Sequence, residues 1–89
     1  MKTPKQLERY FKGLANHKRI AILLEVEKNN NVTVEQLTDI LKGNFKTISQ
    51  HTKSLVNAGL LNKNYDGRNV CHSLSPYGKI ALRAVRSFS

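Results

Sequence analysis

The side chains of this sequence best equipped for chemistry stand close together, between Asn44 and Asn57. Wound as a helix at about 100° per residue, this stretch turns Lys46, Thr47, Gln50, Lys53, Ser54 and Asn57 to one side and Phe45, Ile48, Thr52, Leu55 and Val56 to the other. The polar side carries no carboxylate and interleaves lysines with short hydrogen-bonding groups. That combination suits recognition: amides and hydroxyls reach base edges while lysines neutralise phosphates. Gln50 can bond an adenine edge twice, Lys46 can meet a guanine edge, and Lys53 can meet a phosphate. His51 projects from the margin between the faces, either as a phosphate or base contact or as a half-buried polar packing residue. A merely solvated helix would mix both signs of charge and favour Glu, a strong helix former.

Other chemistry finds little support in the residue pattern. The three histidines, at 17, 51 and 72, lack metal-ligand spacing, and His17 reads as a surface or capping-region residue. Cys71 is alone, so no intramolecular disulfide and no paired-cysteine zinc site can form; it reads as a small buried strand residue, with a redox-sensing thiol or an inter-subunit disulfide as alternatives. Cys71 and His72, as neighbours on a strand, point to opposite faces and make poor partners at one metal. Six acids are scattered and no Gly-rich loop follows a strand. The expectation is a protein that is no enzyme and needs no cofactor or metal.

The charge balance agrees. The 89 residues carry 15 Lys and Arg against 6 Asp and Glu, a net +9. Through Leu41 there are seven bases against five acids; from Lys42 onward there are eight against Asp66 alone. An excess confined to one half points to a polyanion. Anionic membrane is the competing surface, but no apolar run is long enough to span and none resembles a signal peptide, so a cytoplasmic, nucleoid-associated protein with no membrane partner is expected. At this length the chain is read as one small domain, residues 1–89, with 39% hydrophobic residues to build its core.

The elements that must position the basic face follow from periodicity and caps. Leu7, Tyr10, Phe11 and Leu14 form the apolar stripe of a first helix, about 5–14. Asn16 caps a second helix from His17 to about Lys28, apolar almost all round and therefore central and buried. Asn29-Asn30-Asn31 turns the chain, and Val32 contributes a very short strand. Thr33-Val34-Glu35-Gln36 fits a capping box opening a helix to about Lys42, with Val34, Leu37, Ile40 and Leu41 inward and Gly43 as its stop. Asn44 then caps the basic helix, about 45–58. The two helices and their short Gly-containing turn form a helix-turn-helix pattern.

Beyond Ala58-Gly59, two short extended segments flank Asp66-Gly67-Arg68, a hairpin signal. Ser75-Pro76 opens a last helix, about 76–88. Tyr77, Ile80, Ala81, Ala84, Val85 and Phe88 line one side of it, opposite Lys79, Arg83 and Arg86. The first and last helices together offer more apolar surface than so small a core covers, so a second copy of the chain is expected to pair there. The fold class is mainly α with a small β-hairpin, in the order of a winged helix-turn-helix.

Leu14-Ala15-Asn16-His17-Lys18-Arg19-Ile20-Ala21-Ile22-Leu23 resembles the opening signature of ArsR-like transcription regulators, Leu-Ala-Asp/Asn-x-x-Arg-x-x-Ile-Leu. Thr47-Ile48-Ser49-Gln50-His51, with Lys53-Ser54-Leu55 and Ala58-Gly59-Leu60 after it, is similar to the family's Thr-Val-Ser-x-His-Leu-x-x-Leu recognition helix. Leu74-Ser75-Pro76-Tyr77-Gly78 resembles the Leu-Thr-x-x-Gly start of the final helix in several winged-helix regulator groups. The resemblance runs from about Leu7 to Phe88.

It implies a homodimeric regulator, most simply a repressor, paired through its first and last helices, with two recognition helices in successive major grooves of double-stranded DNA. Matching positions make Asn44, Lys46, Thr47, Ser49, Gln50, His51, Lys53 and Ser54 the DNA-facing set, and Arg68 the wing residue at the minor groove. The Cys-containing metal motif of sensing members is missing at Val34–Ile40, as are Asp or His ligands in the last helix, so the resemblance names no effector. Thr52 replaces the usual leucine. The alternative is a winged-helix protein-interaction or RNA-binding module within a larger assembly, for which the alternating charge of the first helix and the basic stripe of the last leave room.

Overall fold

The computed structural model describes residues 1–88. Five helices and three strands follow in the order α1 (Pro4–Leu14), α2 (His17–Asn29), β1 (Val32–Thr33), α3 (Val34–Leu41), α4 (Phe45–Asn57), β2 (Leu61–Asp66), β3 (Asn69–Leu74) and α5 (Pro76–Arg86). The helical start signals hold at each position where the sequence offers them. Asn16 Oδ1 accepts from the backbone N–H of Lys18 and Arg19, and the Thr33 and Gln36 side chains close a reciprocal capping box. Asn44 Oδ1 accepts from the Thr47 N–H at 3.1 Å, and Ser75 Oγ from the Gly78 N–H at 2.9 Å.

Five boundaries differ from expectation, among them the end of α2, which runs on to Asn29. α1 begins one residue early, at Pro4, because Thr3 and Gln6 form a second capping box that places proline at the first helical position. α3 ends at Leu41, and the left-handed residue closing it is Lys42 (φ 50°), not Gly43. Lys42 and Gly43 donate their N–H groups to the carbonyls of Thr38 and Asp39, which satisfies the helix end. α4 stops at Asn57, and α5 at Arg86, so Phe88 lies beyond the last helix.

The core gathers Ile22, Leu23 and Val26 of α2, Val32, Leu37 of α3, Ile48 and Leu55 of α4, Ala58, Leu60, Leu61 and Leu82 of α5. α2 is the central helix, touching α1, α3, α4, α5 and β3. Each large side chain withdrawn fully from water contributes about 1.5–3 kcal/mol, so this cluster supplies the main driving force for folding. Two inward expectations fail. Phe45 and Ile40 are 52% and 42% exposed, because each sits at the end of its helix, past the edge of the core.

The sheet is antiparallel in the order β1-β3-β2. Val32 and Thr33 pair with His72 and Cys71, and β2 runs back along β3 from Leu61 opposite Leu74 to Asp66 opposite Asn69. The two residues between the strands are Gly67 and Arg68. Positive φ falls on Gly67 alone (62°), the pattern of a II′ turn, which matches the strand twist and needs glycine at its first central position. Cys71 and His72 are both buried although neighbours on a strand face opposite ways.

Candidate nucleic-acid interface

α4 is seated by its apolar side. Ile48 and Leu55 are buried, and so is Thr52, whose hydroxyl donates to the Ile48 carbonyl at 2.7 Å. A threonine can therefore stand in the core position where the sequence resemblance expects leucine, its one polar group being met within its own helix. With that side fixed, the opposite one faces out. Asn44, Lys46, Gln50 and Lys53 are exposed, while Thr47, Ser49, His51 and Ser54 are partly so. Thus the residues singled out on α4 share one accessible surface, and Arg68 stands exposed at the hairpin tip.

A cleft of about 460 Å³ separates α4 from the hairpin. Ser49, Lys53 and Asn57 form its helical wall; Lys63, Arg68 and Asn69 form the wall opposite, with Glu35 and Phe45 at its rim. Sequence reasoning did not single out Lys63, Asn69 or the exposed Tyr65. Lys63 Nζ lies 5.8 Å from the Tyr65 ring centroid, a cation–π pair two residues apart on the strand.

Three of the six acids are engaged elsewhere. Glu8 pairs with Lys12, Glu25 with Lys28, and Glu27 with Arg86. Among the described residues, no ion pair includes Lys46, Lys53, Lys63 or Arg68. Four exposed cations without ion-pair partners outnumber Glu35 at the cleft and Asp66 on the hairpin, and leave a positive field that a polyanion can neutralise, with release of its counterions.

His51 is half-buried, and its Nδ1 accepts a hydrogen bond from Arg19 Nε of α2 at 3.1 Å. Burial pushes its pKa down, and the charges of Arg19, Lys18 and His17 push the same way, so the ring is neutral near pH 7. The sequence shows Arg19 only as part of the family signature, because its partner His51 is 32 residues away. His17 is exposed at the start of α2.

The second surface expected from the sequence is also present. α1 and α5 lie side by side, the Tyr10 and Tyr77 rings stacking at 4.8 Å between centroids. Between the helices runs a groove of about 240 Å³ walled by Leu7, Tyr10, Phe11, Leu14, Leu60, Tyr77, Ile80, Ala81 and Ala84. Phe11, Ile80 and Phe88 are 66%, 54% and 92% exposed. Among the described residues, no helix is long and apolar enough to cross a membrane, and no three His, Cys, Asp or Glu residues gather as metal ligands.

Known proteins share this arrangement. HlyU from Vibrio cholerae N16961 superposes with a TM-score of 0.82 at 25% identity, over 94% of this chain and 91% of its own. Reduced HlyU from the same organism gives 0.76 at 26%, over 91% and 84%. The homodimeric winged helix-turn-helix DNA-binding domain of Mb0332 from Mycobacterium bovis, a possible ArsR-family transcriptional regulator, gives 0.81 at 24%, over 94% and 77%. Among curated protein sequences, none matches. Residues 16–63 match the model of the bacterial regulatory protein, arsR family, from the cap of α2 through the whole of α4 into β2. On that match the chain belongs to the arsR family, and it is a winged-helix DNA-binding transcription regulator, not an enzyme.

Proposed function

We propose that the protein is a homodimeric repressor that reads duplex DNA sequence-specifically, with α4 in the major groove and the wing, residues 65–69, at the minor groove. One observation carries this reading. The exposed face of α4 holds lysines, amides and hydroxyls with no carboxylate, and Lys63 and Arg68 of the hairpin stand on the opposite wall of the cleft. In this arrangement Lys46, Thr47, Ser49, Gln50 and His51 address base edges, while Asn44, Lys53 and Ser54 address the backbone. Arg68 enters or borders the minor groove, whose width and negative potential suit an inserted Arg.

The groove between α1 and α5 supports the dimer. Leu7, Tyr10, Phe11, Leu14, Tyr77, Ile80, Ala81, Ala84, Val85 and Phe88 provide an apolar surface that a two-fold related copy can cover with the same surface of its own. The homodimeric state of the Mycobacterium bovis domain, similar in fold, supports the same assembly. Two recognition helices so held address half-sites about 10 base pairs apart. Seated across a promoter at the nucleoid, such a dimer covers sequence that the transcription machinery needs, hence repression.

Selection of bound fragments from random duplex DNA, with molar mass measured in the same buffer, tests the proposal. The expected result is a two-fold symmetric site bound by a particle of twice the chain mass. Gln50→Ala should relax the preference at one position of each half-site. A monomer with no duplex preference would overturn the reading in favour of a protein-interaction or RNA-binding module.

A further inference from the structure

Arg19 is neither on α4 nor on the wing, yet it holds a recognition residue by one end and the close of α1 by the other. Its Nε donates to His51 Nδ1 at 3.1 Å, and its Nη1 reaches the carbonyl oxygens of Lys12 and Gly13 at 3.3 and 3.4 Å. Those carbonyls belong to the last turn of α1, where no intrahelical N–H is left to meet them. The guanidinium is therefore fixed at both ends.

Guanidinium has donors only, so the His51 nitrogen facing it must be a lone pair. A neutral imidazole has one N–H, which then stands on Nε2. Protonating Nδ1 would set two donors against each other, and the charged or titratable groups facing the ring from α2 are Arg19, Lys18 and His17, none of them acidic. Nε2 has no hydrogen-bond partner among the described residues and lies on the helix whose outer face is free.

We propose that Arg19 is a positioning residue that fixes His51 as an Nε2–H donor, so that the recognition helix offers a single, invariable donor to an acceptor atom on DNA. This rests on the groove-binding role of α4 proposed above. The acceptors available are guanine O6 and N7, adenine N7, thymine O4 and phosphate oxygen; the amino groups of cytosine and adenine are excluded, being donors themselves. A freely switching imidazole could accept from those amino groups. Arg19 thereby removes a tolerance that would otherwise blur the site.

Long-range proton–nitrogen correlation spectra of the full chain, free of DNA near pH 7, read the tautomer directly. His51 Nδ1 should resonate as an unprotonated nitrogen and Nε2 as a protonated one, and Arg19→Gln should convert the ring to a mixture. On a selected operator, Arg19→Gln and His51→Ala should each lower affinity by about tenfold, the scale of one hydrogen bond, and the double variant should lose no more than either. His51→Gln, which places an amide N–H near the ring Nε2, should recover part of the loss.

The log–log salt slope should stay unchanged in Arg19→Gln, since a positioning residue releases no counterions. If the Nε2 acceptor is a base, His51→Ala relaxes one operator position; if it is a phosphate, all duplexes weaken alike. A ring protonated on Nδ1 in the parent protein, or additive losses in the double variant, would overturn the proposal whether or not the variants fold well. A parent protein with one clean tautomer but no affinity for any duplex overturns the groove reading beneath it, and the role in recognition with it.

Discussion

Lys46, Lys53, Lys63 and Arg68 stand exposed without ion-pair partners on α4 and the hairpin, whereas Phe11, Ile80 and Phe88 stand exposed on α1, on α5 and just past its end. Both surfaces are the outer sides of elements whose inner sides make the same core. They differ in how a partner is held. Charge contacts to a polyanion are made in water, act at a distance and weaken as salt rises. Apolar contacts are short-ranged, nearly indifferent to salt, and favour lasting cover. If the proposed dimer and the proposed operator are its two partners, the protein holds them by different chemistries, so each can be disrupted with the other intact.

The largest effect is expected where the apolar surface is broken. Phe11→Glu with Ile80→Glu places four carboxylates in a two-fold interface, and both residues are exposed in the single chain, so the fold itself should survive. Sedimentation should show a monomer. Operator affinity should fall by roughly 10²–10⁴-fold, the loss expected when two linked half-site contacts become independent. Retained dimer mass in this variant would place the interface elsewhere.

The basic surface should respond differently. Lys53→Ala with Lys63→Ala, one cation from each wall of the cleft, should weaken all duplexes by roughly 10–100-fold and lower the log–log salt slope by about two. Dimer mass and sequence preference should not change. If the salt slope equals that of the parent, the cleft does not track a phosphate backbone.

How far the sequence foretold these two surfaces depends on the range of the interactions that form them. The register of α4 was legible because one helical period separates Ile48, Thr52 and Leu55 from Lys46, Gln50 and Lys53, and burial follows that period. The caps at Asn16, Thr33, Asn44 and Ser75 were legible because each acts within three residues. Phe45 and Ile40 were misplaced since periodicity assigns a face but not where along the helix the core stops. The Arg19–His51 bond and the facing of Lys53 with Lys63 across the cleft join separate elements, and only the packed fold brings them together. Tyr65 and Lys63 alternate visibly, but on β2, exposed on both sides beyond Leu61, alternation does not identify a reading face.

A smaller effect is expected at the joint between the surfaces. Gly13 of α1 lies against Ala58, just past α4, and a Cβ added there would stand 2.5 Å from the Ala58 Cβ. Gly13→Ala must push the two helices apart, at a cost of about 1–3 kcal/mol for overpacking a close contact. Urea denaturation should show the lower midpoint with an unchanged slope. Because α1 carries part of the apolar surface proposed for the dimer and Gly13 supplies a carbonyl to Arg19, operator binding should weaken by more than the stability loss alone implies. Equal binding by a destabilised Gly13→Ala would mean that the two surfaces do not share this joint.

The smallest effect concerns pH and separates two histidines held in opposite ways. His72 Nδ1 lies 3.4 Å from the Val32 carbonyl, which can only accept, so this ring donates from Nδ1, whereas His51 accepts there. Burial pushes the His72 pKa down; the nearby Lys63 charge adds to the fall, and the Val32 carbonyl opposes it. In the unfolded chain His72 titrates near its ordinary value of about 6.5. Above that pH both states are neutral and the native structure keeps its full stability. As the pH drops below it, the unfolded chain takes up the proton first and the folded state loses ground, until the lowered folded pKa is passed and the loss levels off. His51, also lowered, acts in the same direction in the free protein. Urea midpoints should therefore decline from pH 7.5 to 5. His72→Asn, which keeps a donor near Nδ1 but cannot titrate, should make that decline shallower, with the His51 share left in place. A His72→Asn variant whose midpoints fall as steeply as the parent's would show that the buried ring does not set the acid limit of the fold.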